Sequence, residues 1–257
     1  MLQYIPEIIK LIFIWTEFLI LTPIMYIFSY SHFQKNKYFK KSYRFFFRYW
    51  SKLFCKAGRL DIRVHQKHLK LLPKQYIVIA NHPSMAEDAG MVAVFNARFI
   101  AKEEVASWPV FGRITKAAGT VYVKREDSNS RKAAKLKLDS VIKDGDNLGV
   151  YVEGGCKGVR IHLPFKSGAF ETSVNNNVPI IPVLIHYEAV QDFAWHRVNN
   201  GKGTHGIKKF FEIFFAKNHI CNYYIFDPIH PKDFNDKVKM REHIEQFYLK
   251  QQEKYLV

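Results

Sequence analysis

The chain has 257 residues, 48% hydrophobic and 16% aromatic, and carries a formal charge of +16. That length suits one closed α/β core with an appendage rather than two large domains, and that composition excludes an intrinsically disordered chain. The charge implies an anionic neighbour: a membrane surface, a phosphorylated substrate or nucleic acid.

The first element predicted is the apolar segment Leu11–Phe28, which approaches the ~20 residues needed to cross a bilayer but contains Glu17 and Pro23. It is expected to span, or to dip in and return, with a buried core helix as the alternative. The start lacks a basic region and the end lacks a small-residue cleavage site, which argues against a cleaved signal peptide. Ser31 to Lys74 holds 13 Lys and Arg against the single acid Asp61. A block of this kind favours the cytoplasmic face, so the protein is expected at a membrane with its folded part facing the cytoplasm. Within it, residues 38–58 interleave Phe, Tyr and Trp with Lys and Arg at helical intervals, predicting an amphipathic helix that ends at Gly58. Residues 1–58 are therefore read as an N-terminal membrane-associating helical segment and 59–257 as the folded domain.

From Leu60 onward, apolar runs alternate with helical patterns: LDIRVHQ, YIVIAN, GMVAVFN, RFIAK, GTVYVKR, the polar helical stretch SRKAAKLKLDSVIKDG, then GVYVEGG and VPIIPVLIHY. This alternation predicts a single α/β domain with a mixed, largely parallel sheet flanked by helices. Residues 186–215 are aromatic and basic without clear periodicity, and 238–255 read as a closing amphipathic helix. The three cysteines, Cys55, Cys156 and Cys221, are widely spaced and form no CxxC, which suits a reduced, cytosol-facing protein. No histidine stands at metal-ligand spacing, so no metal is expected; His65, His68, His186, His196, His205 and His219 are assigned to surface or packing.

Chemistry concentrates where the strand YIVIA ends and Asn81-His82-Pro83-Ser84 turns into a helix. That is the carboxyl edge of the sheet, where open α/β folds place their sites and where a ligand would reach His82. Glu87 comes five residues later with Asp88 beside it, so either acid can fold back to the imidazole. A carboxylate on one ring nitrogen fixes the tautomer and leaves the other nitrogen free to take a proton from an alcohol. Ser84-x-x-Glu87 is equally a capping box, which needs no chemistry.

Asn81, His82 and Glu87 resemble the first block of the lysophospholipid acyltransferase family, with Glu87 where Asp is usual. The stretch 101–125 is similar to a second block through Lys102, Pro109, Gly112, Gly119 and Arg125, and 151–170 to a third through Glu153, Gly154, Pro164, Phe165, Lys166, Gly168 and Phe170. Val178, Pro179, Ile180 and Pro182 resemble a fourth block. Val152, Gly155 and Cys156 stand where the family has Pro, Thr and Arg.

The resemblance implies that 59–257 is an acyltransferase catalytic domain. His82 would be the general base, with Glu87 or Asp88 orienting it, and Asn81, Ser84, Lys102, Arg125, Glu153 and Gly154 at the substrate. Lys157 and Arg160 would replace the missing loop arginine, since guanidinium groups suit phosphate oxygens. The implied reaction moves a fatty acyl group from acyl-CoA or acyl-carrier protein, as co-substrates and without a cofactor, to a lysolipid hydroxyl. The acceptor that the family implies is 1-acylglycerol-3-phosphate, giving phosphatidic acid. No Ser or Cys of these blocks is expected as nucleophile, so the alcohol attacks directly. The departures around Cys156 keep another lysophospholipid or an aminolipid open as acceptor. A non-enzymatic basic protein on membranes or nucleic acid is the alternative of another class, and no nucleic acid is expected as partner.

Overall fold

The N-terminal apolar run forms helix α1 (Ile5–Phe28) in the computed structural model, which describes residues 5–30, 33–66, 72–124, 127–188, 220–234 and 236–255. Arg125, His68, His196, His205, His219 and most of the 186–215 stretch lie outside the described residues. Asn36 then caps helix α2 (Lys37–Ala57), its side-chain oxygen accepting from the amides of Tyr38 and Phe39 at 2.8 and 3.3 Å. Helical spacing turns Tyr43, Phe47, Trp50 and Leu53 inward and leaves Lys40, Lys41, Lys52 and Lys56 exposed. Two other members of the basic block serve the fold itself: Arg44 pairs with Asp146 at 2.9 Å and Arg48 donates to the Val94 carbonyl at 3.1 Å.

Helix α1 lies against α2 through the stacked rings of Phe18 and Trp50, 5.5 Å apart, and the Trp50 indole donates to Thr22 at 2.9 Å. Glu17, anomalous in an apolar helix, accepts from the Tyr49 hydroxyl at 3.2 Å. The opposite face of α1 exposes Ile8, Ile12, Phe13, Leu19, Ile20 and Ile27. By length and composition α1 is apolar enough to cross a membrane.

The sheet comprises β1 (Asp61–Gln66), β2 (Ile77–Ala80), β3 (Arg98–Lys102), β4 (Val121–Val123), β5 (Leu148–Tyr151), β6 (Ile180–Tyr187) and β7 (Ile220–Ile225). Their order is β1-β7-β6-β2-β5-β3-β4, parallel throughout except for the β6–β7 pair. Alternation along each strand splits the core in two. On one face Val78, Ala80, Ile181, Val183 and Ile185 pack with α1, α2, α3 (Glu87–Val94) and α4 (Phe111–Ala117). On the other, Ile77, Ile79, Ile180 and Leu184 pack with α5 (Ser128–Lys143), α6 (Gly168–Asn176) and α7 (Lys237–Tyr255). The central strand β2 is buried at all four positions, as expected of a strand covered on both sides.

The run GMVAVFN is helical as far as Val94, because Gly90 to Val94 complete α3 rather than forming a strand. Helices α4 and α6 and strand β7 have no counterpart among the elements read from sequence. Each is short, and its apolar positions are shared with neighbours from distant parts of the chain.

Candidate active site

Three neighbouring parallel strands, β6, β2 and β5, end side by side, and the site is built from the turn after β2, the loop after β5 and the last residues of β6. Asn81 secures the geometry: its amide donates to the Ile185 carbonyl at 3.0 Å and accepts from the Ile185 amide at 2.7 Å. Both ends of this side chain, 1% exposed, are used to lock β2 to β6. Asn81, expected at the substrate, is thus a framework residue.

His82 comes directly after, and its Nδ1 lies 2.8 Å from Glu87 Oε1. A carboxylate oxygen at this distance accepts from Nδ1–H, so in the neutral ring the lone pair is left on Nε2. Glu87 is fully buried and is served by two further donors, the Ser84 amide on Oε1 and the Tyr187 hydroxyl on Oε2, each at 2.7 Å. Half of the capping box accompanies the dyad: Glu87 accepts from the Ser84 amide while holding the imidazole, but α3 starts after Ala86 without a side-chain cap. A buried carboxylate is tolerable only with such a set of donors. Asp88 stands on the other side, with Oδ1 3.9 Å from His82 Nε2 and its side chain 59% exposed. Ser84, also expected at the substrate, is fully buried; its carbonyl accepts from Cys156 and its hydroxyl from the Ala86 amide at 3.4 Å.

The loop after β5 supplies the remaining walls. Tyr151 stacks on the imidazole with centroids 4.0 Å apart and planes at 10°. Glu153, 3% exposed, accepts from the amides of His82 at 2.7 Å and His162 at 2.8 Å, tying both sides of the site to one carboxylate. Burial pushes the Glu153 carboxyl up to about 7, against the pull of those amides. Gly154 continues with φ +74°, a left-handed turn in which a side chain would be strained and would crowd Lys166. The Lys157 amide then donates to the His82 carbonyl at 3.1 Å.

Cys156 closes the site, with Sγ 3.3 Å from His82 Nε2 and 3.1 Å from the Ser84 carbonyl. The sequence placed no cysteine where a nucleophile should stand; the turns at Gly154 and Gly155 bring this one against the imidazole. It also left His82 open to a ligand, whereas the ring is only 6% exposed because Tyr151 and Cys156 cover it. Burial opposes a charged His82, but its neighbours Cys156 and Asp88, together with its hydrogen bonds to Cys156 and to the Glu87 carboxylate, outweigh that and raise the pKa well above the ordinary value. Burial pushes the Cys156 thiol up, against the opposing pull of His82.

Of the residues assigned to substrate, Lys102 ends β3 at the same sheet edge and pairs with Glu104 at 2.6 Å. Lys157 and Arg160 are exposed on the loop after β5. His65, assigned to surface or packing, bonds to Asn222 at 2.8 Å and stacks on Tyr224. Among the described residues, no group of three or more His, Cys, Asp or Glu is placed to hold a metal ion.

The Acyltransferase family model matches residues 61–186. The chain is 30% identical over 115 residues to the 1-acyl-sn-glycerol-3-phosphate acyltransferase of Neisseria gonorrhoeae, covering 45% of each. It is 36% identical over 137 residues to the lyso-ornithine lipid O-acyltransferase of Rhodobacter capsulatus, covering 49% of each. The matches thus span about half the length of these curated relatives. The crystal structure of the 1-acyl-sn-glycerophosphate acyltransferase of Thermotoga maritima shares the fold, with a TM-score of 0.61 at 20% identity over 91% of this chain and 94% of that one.

Proposed function

Residues 61–186 are a domain of the acyltransferase family, and from that premise we propose that this chain moves a fatty acyl group from a thioester to the free hydroxyl of a lysolipid. The observation that carries the reading is the 2.8 Å contact between His82 Nδ1 and the buried Glu87 carboxylate at the carboxyl edge of the sheet. With Nδ1 so held, Nε2 is the atom that takes the hydroxyl proton as the oxygen attacks the acyl carbonyl, and Glu87 stabilises the resulting imidazolium. The acyl donor is acyl-CoA or acyl-carrier protein, and the acidic carrier would be attracted by the cationic N-terminal region. The acceptor is 1-acylglycerol-3-phosphate, giving phosphatidic acid, with Lys102, Lys157, Arg160 and Arg125 as candidate phosphate contacts.

The exposed apolar face of α1 and the outward lysines of α2 support attachment to an anionic leaflet, with the domain on the cytoplasmic side. Because α2 covers one side of α1, the helix is read as lying half-sunk in the interface rather than crossing alone.

A second reading concerns the acceptor only. Cys156 stands where the resemblance expects an arginine, and a 36% identical relative acts, by its name, on a lyso-ornithine lipid. An aminolipid lacking a phosphate monoester is therefore the alternative acceptor.

The test is product identification by mass spectrometry with purified protein, both donor types and a panel of lysolipids, repeated with His82→Ala. Transfer by the wild type and its loss in the variant are expected. Retained turnover by a folded His82→Ala protein would overturn the assignment, and a strong preference for lysophosphatidic acid would retire the aminolipid.

A further inference from the structure

We propose that the Tyr151 hydroxyl donates to the acyl carbonyl oxygen, steadying the negative charge that forms there as the acceptor attacks. The inference rests on the acyl-transfer reading above and adds a group that touches the reacting atoms. Tyr151 is only 9% exposed, yet its hydroxyl has no hydrogen-bond partner among the described residues. A buried hydroxyl left unpaired is costly, and beside a reacting centre it points to a partner that arrives with the substrate. Tyr151 ends β5 in register with Ala80 of β2, its carbonyl accepts from the Gly154 amide at 3.1 Å, and its ring lies on the imidazole of His82, centroids 4.0 Å apart. The hydroxyl is thus held in place before any substrate binds, as a preorganised donor must be. Burial first, and then the charge of Asp88, raise its pKa well above the ordinary value, so it keeps its hydrogen and serves as donor, not base. Asp88 also stands 3.9 Å from Nε2, so one carboxylate borders both the hydroxyl and the nitrogen that takes the proton, without being placed to accept from that hydroxyl.

In the step so assisted, His82 Nε2 takes the proton of the lysolipid hydroxyl while that oxygen bonds to the thioester carbon. The carbonyl π pair moves onto the acyl oxygen, which accepts from Tyr151. Collapse restores the carbonyl, breaks the carbon–sulfur bond and sends the proton from His82 to the departing thiolate. Tyr151 ends with its own hydrogen. Because the charge exists only while the carbon is tetrahedral, the contact acts on kcat and leaves both KM values alone.

The experiment uses the full chain in detergent with palmitoyl-CoA or palmitoyl-carrier protein, whichever supports turnover, and the lysolipid that the wild type prefers. Tyr151→Phe isolates the hydroxyl, since the ring keeps its place on His82. Its kcat should fall by ~100-fold, with KM for donor and acceptor each within about twofold of the wild type. The melting temperature should be unchanged or higher, because the group removed had no partner in the fold, and the pH–rate profile should keep its shape.

A Tyr151→Phe protein that keeps its kcat within about twofold overturns the proposal, as does a loss that falls on KM for the lysolipid, which would make the hydroxyl a headgroup contact. An equal and non-additive loss in Asp88→Asn would make it a support for that acid. A lowered melting temperature or a shifted pH–rate profile would make it a support for the fold or the imidazole, and each of these outcomes also overturns it. All of them leave the His82 reading intact. Absence of transfer to any lysolipid by the wild type is the separate failure of the acyltransferase reading.

Discussion

Tyr187, the last residue of β6, donates its hydroxyl to Glu87 Oε2 at 2.7 Å, and neither side chain is more than 1% exposed. The orienting acid is thus held by a strand 100 residues away as well as by its own turn. Removing that donor in Tyr187→Phe leaves a buried carboxylate oxygen short of a partner. The expected cost is about 1–3 kcal/mol of stability, read by denaturant melts, together with a fall in kcat as the imidazole loosens; an unchanged melt would show that the contact contributes nothing.

Glu87 and Asp88 are separable by substitution. Glu87→Gln keeps the shape but cannot hold the Nδ1 hydrogen in the same way, so kcat should fall by ~100-fold or more. Asp88→Asn removes an exposed charge 3.9 Å from Nε2 and should change kcat only a few-fold. A Glu87→Gln protein that melts earlier but turns over normally would reduce Glu87 to a cap.

Rate and stability should respond to pH in opposite directions. His82 must be neutral to act as base, and its acidic neighbours hold its pKa well above the ordinary value, so the rate should climb as pH rises past neutrality. The folded chain also keeps protons that the unfolded chain releases: on His82 above its ordinary pKa, and on Glu153 between the ordinary carboxylate range and about 7. Those contributions are present at low pH and lost as pH rises through the folded values. A pH–rate profile beside thermal melts from pH 5 to 9 tests both slopes, and His82→Gln should flatten part of the melting trend.

At the N-terminus, Trp50 is 3% exposed between α1 and α4, stacked on Phe18 and against Phe111 at 5.2 Å. Trp50→Ala should cost about 3–5 kcal/mol and release α1, seen as protease sensitivity near residue 30. Unaltered proteolysis would mean that α1 is held by other contacts.

Replacing Lys40, Lys41, Lys52 and Lys56 together by Gln should leave the melt unchanged, since all four are exposed. Binding to vesicles rich in anionic lipid should weaken by about 100-fold or more, at roughly 1 kcal/mol per charge, with little change on neutral vesicles. Equal loss on both would point to the apolar face of α1 instead.

The sequence was most legible where one segment settles its own environment. β2 is buried at every position and its neighbour β6 at all but His186, α2 and α7 carry helical periodicity over about five turns, and Asn81-His82-x-x-x-x-Glu87 lies within one turn, so the closeness of imidazole and acid is a local matter. Strand β7 was less legible because its partners, β1 and β6, are far away in the chain. The roles of Tyr151, Tyr187 and Cys156 were hidden for the same reason. Cys156 was visible only as a departure from a family pattern.

By itself, then, the chain order determined a basic α/β protein with an apolar amphipathic start, and a histidine–carboxylate pair at the end of a central strand, because periodicity and short spacings are written locally. Tertiary structure alone decided what surrounds that pair. Parallel pairing of β2 with β5 and β6 brings the loop after β5 and the end of β6 to the same edge, so Tyr151 stacks on the ring, Tyr187 secures Glu87, and the Cys156 sulfur meets the one nitrogen left free. Contacts between residues 69 to 104 positions apart depend on how the strands are ordered, and no short window of sequence contains that order.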